Sequence, residues 1–249
     1  MGLFDLFGTK EARDQDALRK LARKVTEKFG PPENRQKVID QLGELCTPGA
    51  LKTLCLRFTI QSEPGITDQE EKETARRWLV DAGADAVGPV TEFLREQESG
   101  AAWGLGVLAA VTSPEAVVST VTVELTHLAS IYTRDPEKKL TLLAWAAEHH
   151  AGQGDESMEK ALLVLLEDFS DDVRLGATRA LAARPLTAAS REGLIQLLLR
   201  DAGNARVRGE VLAALHHLGA DVKGHRPAVE ALLVDPWFLD KDGVVKKRG

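Results

Sequence analysis

Leu162-Leu163-Val164-Leu165-Leu166-Glu167-Asp168-Phe169-Ser170-Asp171-Asp172-Val173-Arg174, running on to Ala180-Leu181, is the stretch that decides the fold. It reads as an apolar helix, a short acidic turn and a second amphipathic helix. Shifted by 34 positions the chain repeats itself as Leu197-Leu198-Leu199-Arg200-Asp201, then Val207-Arg208, then Ala214-Leu215. A fixed period of this size is the signature of a repeat architecture, in which each unit buries its apolar face only against its neighbours.

Extended outward, the alignment gives a ladder of equivalent positions: Leu42, Leu79, Val111, Trp145, Leu181 and Leu215. Four residues before each stand Val38, Ala75, Val107, Thr141, Ala177 and Val211, one helical face by the i, i+4 relation. Seven residues before each stand Arg35, Lys72, Gly104, Lys138, Arg174 and Arg208, a column that is basic except at Gly104.

These columns place six helical hairpins. The first pairs 15–29, with Leu18, Leu21, Val25 and Phe29 on one face, with 33–46, across the helix stop Gly30-Pro31-Pro32. The second pairs 50–59 with 68–82, opened by a capping box at Thr67 and Glu70. The third pairs 85–97 with 99–111, and the fourth 114–131 with 136–150, where Asp135-Pro136 supplies an N-cap and a proline at N1. The fifth pairs 158–169 with 171–183 and the sixth 188–200 with 204–218, Gly219 standing where a left-handed C-cap belongs. A further helix, 227–234, opens a unit whose partner does not develop, although Asp240–Lys246 begins like one. We read no strand-like alternation between hairpin turns and therefore expect no sheet. The expected organisation is an apolar N-terminal segment over 1–10, a repeat array over 11–234 and a tail or partial cap over 235–249.

The motif Leu-Leu-x-Asp-x-x-x-x-Val-Arg-x-x-(Ala/Val)-x-x-Ala-Leu resembles the HEAT repeat, most closely over Leu165–Leu181 and more loosely over Leu198–Leu215. In earlier units Val-Arg becomes Glu71-Lys72 and Glu137-Lys138, and in the third it lapses to Trp103-Gly104. The period is similar to that of the compact HEAT-like repeats common in bacterial proteins. The resemblance implies an all-α, right-handed α-solenoid of about six hairpins with a partial C-terminal unit. It implies that Asp168, Arg174, Asp201 and Arg208 tie neighbouring turns together by charge-assisted hydrogen bonds. Anion binding by the basic column is the competing reading.

The chain has 249 residues and a formal net charge of −6, with 43% hydrophobic, 28% charged and only 5% aromatic residues. An acidic balance argues against a surface devoted to phosphate backbones. Cys46 and Cys55 lack metal or redox spacing and are expected to be reduced, buried small hydrophobes. The paired His149-His150 and His216-His217 point about 100° apart on a helix and do not suggest a metal site. Nucleophile-elbow, phosphate-loop and dinucleotide motifs are absent, so no enzyme, cofactor or metal is expected. No apolar run reaches the roughly 20 residues of a membrane span, and the start lacks the basic region of an export signal, which points to the cytoplasm.

One stretch departs from the pattern. From Ser99 to Pro114 the chain carries no charge, and Leu140–Ala147 is similar. Helices apolar on every side are normally covered on every side. The expectation is an apolar groove at Trp103, Leu105, Leu142 and Leu143 that takes a protein partner, the chain acting as a non-catalytic interaction scaffold or adaptor. Two alternatives share the fold: a HEAT-like nucleic-acid-processing enzyme of the alkylpurine DNA glycosylase type, and a peripheral membrane adaptor using Leu3, Phe4, Leu6 and Phe7.

Overall fold

The computed structural model describes residues 10–149 and 155–248. The fold is all-α apart from one short hairpin of strands, and it divides into two compact units, Met1–Val117 and Val118–Gly249. The first contains α1 (Lys10–Val25), α2 (Pro32–Leu45), α3 (Pro48–Cys55), α4 (Gly65–Asp81), α5 (Val87–Glu96) and α6 (Ala101–Val111). Helix α7 (Pro114–Ala129) runs across the division. The second unit continues with α8 (Glu137–Glu148), α9 (Glu156–Leu165), α10 (Asp171–Ala182), α11 (Ala188–Arg200), α12 (Ala205–His217) and α13 (Arg226–Glu230). Strands β1 (Trp237–Leu239) and β2 (Val245–Lys247) pair antiparallel.

Within each unit the helices form two layers. In the first, α1, α3 and α5 stack on one another, as do their hairpin partners α2, α4 and α6; in the second, α9 packs on α11 and α11 on α13, while α8, α10 and α12 form the other layer. Repetition is therefore real in three dimensions, and the apolar columns supply its core. Val38, Leu42, Ala75 and Leu79 are buried in the first unit, as are Ala177, Leu181, Val211 and Leu215 in the second. Local chemistry starts the helices where it should. Pro32 and Pro48 sit in first turns, Thr47 accepts from the Ala50 N–H, Asn204 accepts from Arg206 and Val207, and Thr187 with Ser190 forms a reciprocal capping box.

Several expectations are corrected. Helix α1 ends at Val25, leaving Phe29 93% exposed. The reason is Arg35, whose guanidinium donates to the Glu27 and Gly30 carbonyls and draws the connecting turn down onto the start of α2. Thr67 lies inside α4, which begins at Gly65; Asp68 instead turns back to accept from the Ser62 N–H and hydroxyl. Cys46 is exposed, holding a left-handed C-cap at φ 44°, while Cys55 is buried and its thiol is pushed up to about 12 by desolvation. The apolar residues at 1–9 and His150 lie outside the described residues.

The fourth hairpin is out of register by one residue. Trp145 is only half-buried, and in α8 the buried face is Lys138, Lys139, Leu142, Leu143 and Ala146; in the third hairpin Val111 too is only half-buried. Ala146 thus takes the place expected for Trp145, and Lys139 the place expected for Lys138. Trp145 turns aside and stacks on His149, with ring centroids 4.4 Å apart.

Strands β1 and β2 overturn the expectation of no sheet and of a helix beginning at Asp240. Asp240 accepts from the Asp242 and Val244 N–H groups, and Gly243 takes φ 80°. That is a tight Asp-Gly turn joining strands of only three residues each, too short to show alternation. Val245 is buried, and β2 packs on α12.

Candidate functional site

The layer of second helices carries an open cleft in each unit. In the first, a cleft of about 290 Å³ lies along α2 and α4, lined by Asp40, Thr74, Arg77, Trp78 and Asp81. Its wall is the half-exposed indole of Trp78, laid across Gly43 of α2. A Cβ at Gly43 would stand 2.1 Å from Trp78 Cδ2, so only glycine lets the ring lie there. The indole Nε1 donates to Asp40 Oδ1 at 3.2 Å, and Gln36 donates to the same oxygen at 3.0 Å. Arg77 is exposed and donates to the Thr74 hydroxyl at 2.9 Å.

In the second unit a cleft of about 310 Å³ has Leu143, Leu175 and Gly176 as its floor, with Leu140, Ala144, Asp172, Arg179 and Arg206 around them. The rim charges here satisfy one another. Arg179 makes a two-pronged pair with Glu210 of α12 at 2.9 and 2.8 Å, and Arg206 pairs with Asp172. Hydrogen bonding to Glu210 holds the Arg179 guanidinium above its ordinary pKa.

The four residues expected to line an apolar groove fall in different units. Leu105, Leu142 and Leu143 are core residues, 3%, 0% and 0% exposed, and Trp103 is half-buried with its ring stacked on Phe58 at 5.4 Å. The one-residue slip in α8 explains Leu143: it occupies the inward position of Thr178, and Ala144 faces outward where Arg179 does in α10. On α6 the outward face is Ala102, Gly106, Ala109 and Ala110, so its lack of charge exposes only small side chains.

The basic column faces inward. Arg35 is fully buried, its Nε 2.9 Å from Glu71 Oε2; Arg57 reaches the same oxygen at 2.8 Å and Asp68 Oδ1 at 2.6 Å; Lys72 reaches Asp68 Oδ2 at 2.7 Å. In the second unit Lys139 reaches Asp168 Oδ2 at 2.7 Å and Lys138 lies 3.5 Å from Glu124. Arg174 donates to the Asp168 carbonyl at 2.6 Å, and its Nε stands 2.8 Å from Asp201 Oδ2, close but not in line for a hydrogen bond. Arg208 donates to the Ala202 carbonyl at 2.7 Å and so closes its own hairpin turn.

Other chemistry is occupied or absent among the described residues. No group of three or more His, Cys, Asp or Glu is placed to hold a metal ion. His216 bonds the Val245 carbonyl at 3.1 Å, and His225 lies 3.1 Å from Glu192. No described helix is long and apolar enough to cross a membrane.

No family model and no curated protein matches the chain. Among solved structures it is similar to a designed armadillo repeat protein in complex with the peptide (KR)4, at 20% identity over 85% of this chain and 95% of that one, with a TM-score of 0.41. It is similar also to computationally designed armadillo repeat proteins for modular peptide recognition, at 22% identity over 84% and 94% of the two chains, with a TM-score of 0.40.

Sequence reasoning did not single out Asp40, Trp78 or Asp81 as a site. The available signal was a glycine inside α2, Gly43, one repeat before a tryptophan beside its own rung, Leu79. A helical glycine costs about 1 kcal/mol against alanine, and a close approach by a neighbouring side chain is a reason to bear that cost.

Proposed function

We propose that this chain is a non-catalytic, cytoplasmic protein-interaction scaffold of HEAT-like hairpins, with 11–234 as the repeat array and 235–249 as its cap. Partners would be bound on the layer of second helices. One observation carries the reading: that layer is open in both units and holds a cleft in each, whereas the basic residues of the repeat motif are spent on internal pairing. Clefts of about 300 Å³ sit at the bottom of the roughly 300–1,000 Å³ range of small-molecule sites and suit protruding side chains better than a cofactor. The inward basic column speaks against the glycosylase-type alternative, which needs an open basic face.

Site-specific photocrosslinking in the native cell tests this. A benzophenone side chain at Arg77 or at Arg179, the mouths of the two clefts, should give discrete higher-mass protein adducts. The same group at Val164, 51% exposed on α9, should not. Adducts confined to Val164, or none at any position, would remove the scaffold reading.

A further inference from the structure

We infer that the cleft between α2 and α4 receives an arginine or lysine side chain from a basic segment of a protein partner. This deepens the scaffold reading and rests on it. Three observations about the cleft combine. First, one wall is the half-exposed Trp78 indole, clamped from behind by the Gly43 backbone and steered by its hydrogen bond to Asp40. An indole fixed in this way is the best ring for a cation to lie against.

Second, the cleft carries unspent negative charge. Among the described residues the Asp81 carboxylate has no hydrogen-bond or ion-pair partner, and the Asp40 carboxylate accepts both of its hydrogen bonds on Oδ1, leaving Oδ2 open. In the other cleft, by contrast, the carboxylates are paired, Asp172 with Arg206 and Glu210 with Arg179. Two carboxylates beside an aromatic wall suit a guanidinium, which can bridge both oxygens while stacking its plane on the ring.

Third, the size admits a long side chain. The cleft measures about 290 Å³, and with Thr74 on its lining it has both a polar end and an apolar wall, which matches a charged head on an aliphatic stem. Arg77 is the one cation lining the cleft; it is tethered to Thr74 and makes no ion pair with either aspartate among the described residues. It is therefore a competitor for the same carboxylates. The net charge of −6 extends the complementarity beyond the cleft and favours a basic partner on approach.

The test is a fluorescence-anisotropy titration of the full chain with two fluorescein-labelled octapeptides, glycine alternating with arginine and glycine alternating with norleucine. The arginine peptide should bind and weaken as salt is raised; the norleucine peptide should not bind. The double variant Asp40→Asn/Asp81→Asn should lose about tenfold in affinity, the loss expected of charge-assisted contacts. Arg77→Gln should bind a few-fold tighter by removing the competitor, and comparison with an equal change of charge at Arg179 separates this from generic acidity. Arg179→Gln, in the other unit, should bind as the parent does. Circular dichroism confirms that each variant keeps its helicity. Equal binding of both peptides, or parental binding by the double aspartate variant, overturns the inference. If crosslinks form at Arg77 while the arginine peptide fails to bind, the scaffold reading stands and this inference falls. If the peptide binds through Asp40 and Asp81 and no crosslinks form, the cleft chemistry stands and the scaffold reading falls.

Discussion

The two units solve one problem in two dielectric settings. Each must tie a hairpin to the next through the charged positions of the repeat. In the first unit the tie is a dry cluster: Arg35, Arg57 and Glu71 are 0%, 0% and 2% exposed, with Asp68, Lys72 and Ser62 packed around them. In the second the tie runs from a buried end, where Lys138 faces Glu124 and Lys139 crosses to Asp168, out to the water's edge, where Arg174 and Asp201 each keep 12% of their side-chain surface. Sequence columns put a cation at the same rung in both; the loops decide whether water reaches it. The long α3–α4 connection, through residues 60–64, folds over the first cluster and contributes Ser62 and the Ile60 carbonyl. The α9–α10 turn is too short to cover anything.

The sharpest way to break the comparison is to remove one acid from each tie. Glu71→Ala leaves Arg35 and Arg57 buried without their shared carboxylate and should cost about 3–5 kcal/mol, as uncompensated buried charge does. Asp201→Ala leaves Arg174 beside Asp171 and the Asp168 carbonyl, and should cost about 1–2 kcal/mol. Urea unfolding of the two variants measures both. Equal losses would mean that burial does not distinguish the ties.

Acid sharpens the same contrast by a smaller step. Burial alone would raise the Asp68 carboxyl, but hydrogen bonds from Lys72, Arg57 and the Ser62 N–H outweigh it and hold the group well below the usual carboxylate range. A depressed folded pKa contributes stability that is present above the unfolded value of about 3.9 and is lost as pH falls toward the folded one. Each pH unit below about 4 should therefore remove up to about 1.4 kcal/mol through this group. Asp68→Asn should flatten that acid limb of the stability profile. An unchanged limb in Asp68→Asn would assign the acid sensitivity elsewhere.

The smallest effect separates the two clefts by their glycines. Gly43→Ala drives a methyl into the middle of the Trp78 ring and should cost about 1 kcal/mol or somewhat more, with a shift in tryptophan emission. Gly176→Ala meets Leu143 Cδ1 at 3.0 Å and its Cβ at 3.2 Å, a milder approach than the one at Gly43, and should cost less. Thermal melts with emission spectra decide it; a larger loss at Gly176 would reverse which cleft is the rigid one.

Much of this was readable beforehand, and the failures are physical. The i, i+4 columns around Leu42, Leu79, Leu181 and Leu215 located the hairpins because burial enforces that period. The period alone could not tell Trp145 from Ala146, since both are apolar; Lys138 and Lys139 side by side hid the slip in the basic column as well. Reading Leu143 as a surface residue followed directly from that single step. The clefts were less legible because their lining comes from helices one repeat apart, and the match between Gly43 and Trp78 exists only once α2 and α4 are packed. The β-hairpin had a readable turn, Asp242-Gly243, but strands of three residues offer no pattern to confirm it.

The hairpin also sets a limit on growth. A stack of similar hairpins is open-ended: the last one presents to the next what it received from the one before, so nothing in the motif itself prevents further addition or head-to-tail joining of separate molecules. Here α13 lies on α11 and β2 on α12, so both berths that a further helical pair would take are filled. Val245 donates to the Ala220 carbonyl, Val222 to the Gly243 carbonyl, and His216 engages Val245, fastening the strands to the loop that follows α12. On the proposed reading of 235–249 as a cap, the hairpin would act as a chain terminator in the polymer sense, closing at that face a structure whose own repeat carries no instruction to stop.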